Sequence, residues 1–96
     1  MKKIIQILFV IGCVSVTAQN SLTGKITDIN NEPLIGVDIY ATEFHKGTVS
    51  DINGEFTLKN LPNGKVKISI SYVGFETIIK TFNFQNKSIN YNTHLI

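Results

Sequence analysis

The chain contains no arginine and no tryptophan, one cysteine, two prolines and two histidines in 96 residues. Each scarcity closes a class of function. All nine basic residues are lysines, and beyond Lys2 and Lys3 they are dispersed at 25, 46, 59, 65, 67, 80 and 87. Without an arginine fork or a lysine stripe, the chemistry of nucleic-acid phosphate recognition is missing. A single cysteine, Cys13, cannot form an internal disulfide, so the fold rests on its apolar core. His45-Lys46-Gly47-Thr48 lacks a His-x-x-Glu ligand pair, and the one further histidine, His94, does not complete a convincing His₂Glu zinc set. His45 reads as a loop residue beside a strand, and His94 as a strand-face residue at a frayed terminus. No ten-residue stretch has the apolar spacing of an amphipathic helix. No nucleophile elbow, phosphate loop or Cys/His pair occurs, and Ser69 and Ser71 share a strand face without a local base.

The first 18 residues read as a secretory signal. Lys2 and Lys3 precede the largely apolar run Ile4–Val16, and Val16-Thr17-Ala18 supplies short residues before Gln19. About 13 apolar residues fall short of the roughly 20 that span a bilayer. Cleavage after Ala18 is the favoured reading. The alternative is lipidation at Cys13, because Val10-Ile11-Gly12-Cys13 resembles a lipobox. The formal charge of +2 belongs to this leader. Beyond it seven lysines face seven acids, so the remaining chain is near neutral and carries no general attraction to polyanions.

From Asn20 onward the dominant signal is alternation. In Lys65–Tyr72, Val66, Ile68, Ile70 and Tyr72 fall on one face, and Lys65, Lys67, Ser69 and Ser71 on the other. This is a strand with one face in a core. Further strands are expected at Ser21–Thr27, Val37–Thr42, Glu55–Leu58, Thr77–Phe84 and Ile89–Leu95. A short one at Gly47–Ser50 is expected to pair across the Asn53-Gly54 turn. Turn-rich clusters at Asp28–Pro33, Asp51–Gly54 and Asn60–Gly64 separate these runs. Leu61 is expected to fold back over the core. Asp51-Ile52-Asn53-Gly54-Glu55 resembles half a calcium loop, but position twelve is Pro62 where a bidentate glutamate is needed. It reads as a turn. About seven short strands in fewer than 80 residues indicate an all-β, Greek-key β-sandwich at residues 20–96.

Five ordered blocks then resemble a known family: Gly24–Asp28, Glu32–Val37, Gly47-Thr48, Asp51–Phe56 and Ile70–Phe75. Together they are similar to the carboxypeptidase regulatory-like domain, in the version that begins the TonB-dependent outer-membrane receptors of Bacteroidetes. The resemblance covers about Ser21–Leu95. It implies a seven-stranded, transthyretin-like sandwich, with structural roles for Gly36, Gly74, Asp28, Asp51 and Pro33. Phe56, Ile70, Tyr72 and Phe75 are the matching core candidates. It implies no catalytic, cofactor-binding or metal-binding residue. In the receptors the domain precedes a plug and a barrel, which do not follow His94-Leu95-Ile96 here. A free-standing domain, a truncated product and a fragment all remain open. The expectation is a non-enzymatic, exported module, periplasmic or associated with the outer membrane. It would contact a protein partner, for example a TonB-dependent receptor, through loops or a strand edge, with Lys65, Lys67 and Lys80 restraining unwanted edge pairing. The alternative is an accessory segment of such a transporter. A small-ligand carrier or an enzyme would need a polar pocket that the sequence does not announce.

Overall fold

A computed structural model describes residues 20–96; the leader with Cys13 lies outside the described residues. Eight strands follow in order: β1 (Asn20–Thr27), β2 (Asp38–Ala41), β3 (Lys46–Val49), β4 (Glu55–Leu61), β5 (Gly64–Ser71), β6 (Ile78–Phe84), β7 (Ser88–Asn90) and β8 (Thr93–His94). A one-turn 3-10 helix, Thr42–Phe44, joins β2 to β3. One sheet has the order β4-β1-β7, with β8 also paired to β1; the other has the order β3-β2-β5-β6. The chain therefore changes sheets between β1 and β2, β3 and β4, β4 and β5, and β6 and β7. Such crossings make a Greek-key sandwich rather than a series of hairpins.

Alternation sets the inner faces. Leu22 and Ile26 of β1 and Phe56, Leu58 and Leu61 of β4 are buried from one sheet. Ile39 and Ala41 of β2, Val66, Ile68 and Ile70 of β5, and Phe82 and Phe84 of β6 are buried from the other. Val37 and Leu95 complete the core, with Tyr72 and Phe75 packed at its margin. Lys65 and Lys67 stand on the opposite, exposed face of β5, as the period of two requires.

The structure changes four expectations. The first concerns β3, which pairs with β2, Asp38 opposite Val49 and Ala41 opposite Lys46, and not with β4 across Asn53-Gly54. His45, in the left-handed region (φ 53°), closes the β2–β3 connection. Gly54 has φ 77° but Asn53 does not share a positive φ, so a two-residue hairpin turn is excluded. Instead the Gly54 N–H donates to the Asp51 carbonyl at 2.8 Å, with Asp first and Gly fourth as a type I turn favours. The turn carries the chain from one sheet to the other.

The second change is that the last expected strand divides into β7 and β8. Gly24 explains the break: a Cβ there would fall on the Tyr91 carbonyl oxygen. Tyr91 N–H donates to the Thr23 carbonyl at 2.7 Å, and the Asn92 Oδ1, not a backbone carbonyl, accepts from Lys25 N–H at 2.9 Å. The ladder is interrupted where backbone closes on a bare α-carbon. Third, the terminus is not frayed. Leu95 is fully buried and its N–H donates to the Thr27 carbonyl at 2.9 Å. Fourth, Lys65 and Lys67 lie on β5, an inner strand, and guard no edge. Lys80 does lie on the edge strand β6, on the inward side opposite Ile68. Its Nζ sits 5.7 Å from the Tyr91 ring centroid. An inward-pointing charge on an edge strand opposes pairing with a second sheet.

Candidate functional site

The strand directions bring the connections together at two ends. At one end lie the starts of β1, β5 and β7, and the β2–β3 connection. At the other lie the β1–β2, β3–β4 and β5–β6 connections and the residues after β8.

The first end is a polar clasp. Asn20 is 1% exposed, and its amide nitrogen donates to the Leu61 carbonyl and to Asn63 Oδ1, both at 2.9 Å. Its Oδ1 accepts from Lys87 N–H at 2.9 Å, and Asn63 Oδ1 also accepts from Asn86 N–H at 3.0 Å. Both amide donors and the carbonyl of this buried asparagine are thus satisfied, as burial of a polar group requires.

Two near-copies of one loop build the second end. Asp28-Ile29-Asn30-Asn31-Glu32 and Asp51-Ile52-Asn53-Gly54-Glu55 share an Asp-Ile-Asn-x-Glu pattern. In each, the aspartate Oδ1 accepts from the N–H groups two and four residues on, at 2.8 and 3.0 Å in the first and 2.9 Å for both in the second. In each, the aspartate N–H donates to the glutamate carbonyl at 2.9 Å. The fourth residue has a positive φ, 66° at Asn31 and 77° at Gly54. The loops adjoin, since Ile26 N–H donates to the Gly54 carbonyl at 2.8 Å. Ser50, 2% exposed, locks the neighbouring segment: its Oγ accepts from Val37 N–H at 2.9 Å and donates to the Leu34 carbonyl at 2.6 Å. The Asp51 carboxylate therefore serves its own backbone, which is the turn reading of this segment.

His45 lies at the first end, 3.5 Å from Tyr40 Oη, while His94 lies at the second, its Nδ1 2.6 Å from Thr27 Oγ1. Placed at opposite ends, the histidines share no site. Ser71 lies opposite Asp38 across β5 and β2, in the other sheet from His94. Among the described residues no three His, Cys, Asp or Glu side chains gather as a metal site, and no helix is long and apolar enough to cross a membrane. A shallow groove beside His94 is lined by Lys25, Thr27, Asn31, Asn92 and Thr93.

A family model, the CarboxypepD_reg-like domain, matches residues 22–95. The chain belongs to the CarboxypepD_reg-like domain family. A TonB-dependent receptor of Formosa agariphila is 32% identical to this CarboxypepD_reg-like domain over 63 residues, 66% of the chain but 6% of the receptor. The chain thus spans a small fraction of that relative's length. Among solved structures, a type II cohesin–X-dockerin complex from Acetivibrio cellulolyticus superposes with a TM-score of 0.66 at 18% identity, covering 77% of this chain and 52% of that one. The 3-chlorocatechol 1,2-dioxygenase of Rhodococcus opacus superposes at 0.56 and 14% identity, over 83% of this chain and 60% of that one. At these identities the likeness concerns the sandwich alone.

The sequence reading missed the second end as a unit. Its exposed aliphatic residues, Ile29, Ile35, Ile52, Val73 and Ile96, are scattered over the chain and come to one end only through the topology. One signal was available: the Asp-Ile-Asn-x-Glu pattern occurs twice, 23 residues apart.

Proposed function

We propose that this CarboxypepD_reg-like domain is a non-catalytic module that makes protein contacts in the bacterial envelope. The observation that carries this reading is the family match over 22–95 together with the likeness to a TonB-dependent receptor. It is supported by turn aspartates whose carboxylates serve their own backbone and by histidines placed at opposite ends. The cohesin–X-dockerin complex supports it only as an example of a sandwich within a protein–protein assembly. Residues 1–18 act as the export signal, with Cys13 as the alternative point of attachment. Intact mass of the exported protein decides between a mature chain starting at Gln19 and a lipidated one starting at Cys13. Crosslinking in whole cells followed by fractionation tests the function. A protein adduct in the envelope fraction is expected, and a soluble cytoplasmic product without adducts would refute it.

A second reading is favoured by the small share of the receptor that the chain matches. In it the domain acts as an accessory segment, fused to or docked on a TonB-dependent receptor. A plug-encoding sequence continuing in frame after Ile96 distinguishes the fused form.

A further inference from the structure

The second end of the sandwich is apolar at its tips and acidic around them. Of the large exposed hydrophobic side chains, Ile29, Ile35, Ile52, Val73 and Ile96 occupy its connections, and Val49 lies on its rim opposite Asp38. Val73 is 92% exposed, Ile52 73% and Ile29 71%. Folding does not require isoleucine at 29 or 52, because the second position of a type I turn accepts most residues. Hydrogen bonds hold these segments in one place. Gly36 N–H donates to the Ser50 carbonyl at 2.9 Å, Leu34 N–H to Ile26 at 3.1 Å, and Glu76 N–H to Ile96 at 2.8 Å. Val73 and Gly36 line one shallow depression with Asp38 and Tyr72.

Charge is divided along the same axis. Asp28, Glu32, Asp38, Asp51, Glu55 and Glu76 all lie at this end, and only Glu43, in the 3-10 turn, lies at the other. Lys46, Lys59, Lys65, Lys67 and Lys87 lie towards the clasp end, and Lys25, opposite Glu55, is the lysine among the acids.

We infer that this end docks a cationic, aliphatic protein segment, in which valine, leucine or isoleucine alternates with lysine or arginine. The inference deepens the proposed protein-contact function and rests on it. Aliphatic tips gain by burial against an apolar partner, while the surrounding carboxylates select positive charge and reject negative charge. A second copy fits poorly. Head-to-head contact sets acid against acid, and head-to-tail contact sets aliphatic tips against an asparagine- and lysine-rich surface whose large exposed apolar residue is Phe44. An anionic lipid surface is opposed by the same acids.

The test has two arms on the exported chain. In the first, amide shifts are mapped with a capped heptapeptide alternating lysine with valine and leucine, and with its glutamate-for-lysine counterpart. The expected result is shifts confined to the loops at 28–36, 51–55 and 72–76 with the cationic peptide, weakened by salt. Ile52→Asp with Val73→Asp should weaken binding by about tenfold or more, as loss of central apolar contacts does. Ile29→Asp is the second variant, and unchanged melting of each confirms that the fold persists. No shift with either peptide, equal shifts with the acidic one, or shifts at the clasp end would overturn the inference. In the second arm, photocrosslinkers at Ile52 and Val73 are compared in cells with those at Lys59 and Lys65. Protein adducts from Ile52 and Val73 are expected. Adducts only from Lys59 and Lys65, self-adducts or lipid adducts overturn the inference and leave envelope contact standing where a protein is captured. No protein adduct at any position removes the proposed function itself.

Discussion

The clasp end and the docking end of this sandwich solve one problem, closing loops between two sheets, by opposite means. At the clasp a side chain is sacrificed to structure: Asn20 is buried and every polar atom of its amide is bonded to another segment. At the docking end each turn aspartate serves its own backbone within five residues. The isoleucine beside it is left over, facing water. The comparison teaches where selection for folding stops. Long-range hydrogen bonds consume the polar groups of the clasp, whereas self-sufficient turns release their tips for another use.

The contrast can be broken at several points. The largest effect is expected at Gly24, midway between the ends. Gly24→Ala drives a methyl into the Tyr91 carbonyl, detaches the final strands from β1 and should cost more than about 3 kcal/mol in denaturant titration. Asn20→Ala comes next. It strands the Leu61 carbonyl and the Lys87 N–H and should cost about 2–4 kcal/mol by the same measurement. A loss under about 0.5 kcal/mol would show that the clasp is not structural.

The twin loops then give an internal comparison. Gly54→Asn makes the second loop match the first in sequence. At Gly54, however, a Cβ would sit 2.5 Å from the Ile26 carbonyl oxygen, so a cost of about 2 kcal/mol or more in thermal melts is expected. The reverse change, Asn31→Gly, should stay within about 0.5 kcal/mol, because φ 66° suits either residue. Smallest of all, Ile52→Ser combined with Val73→Ser should change stability by about 0.5 kcal/mol or less. Their calorimetric melts should overlay the parent, and a large loss would mean that these side chains belong to the fold and not to a contact surface.

Much of the fold was legible because alternation is local. Val66, Ile68 and Ile70 point inward since each lies two residues from the next, and the same holds for Leu22, Gly24 and Ile26. Asp28 and Asp51 were readable as turn residues because their partners lie two and four residues away. Pairing was less legible. Lys46–Val49 has a strand close by in sequence on either side, β2 and β4, and it pairs with β2 beyond the left-handed His45, not with β4 across Asn53-Gly54. The break between β7 and β8 was hidden for a similar reason. Gly24 and Tyr91 are 67 residues apart, and neither hints at the other.

What the chain determined by itself is most of the strands, their inward faces and the turn role of Asp28 and Asp51, all fixed by interactions spanning a few residues. The gathering of Ile29, Ile35, Ile52, Val73 and Ile96 with six of the seven acids at one end was decided only by tertiary structure. Strand direction and sheet order place those residues, and both are set by long-range packing that no short window of sequence contains.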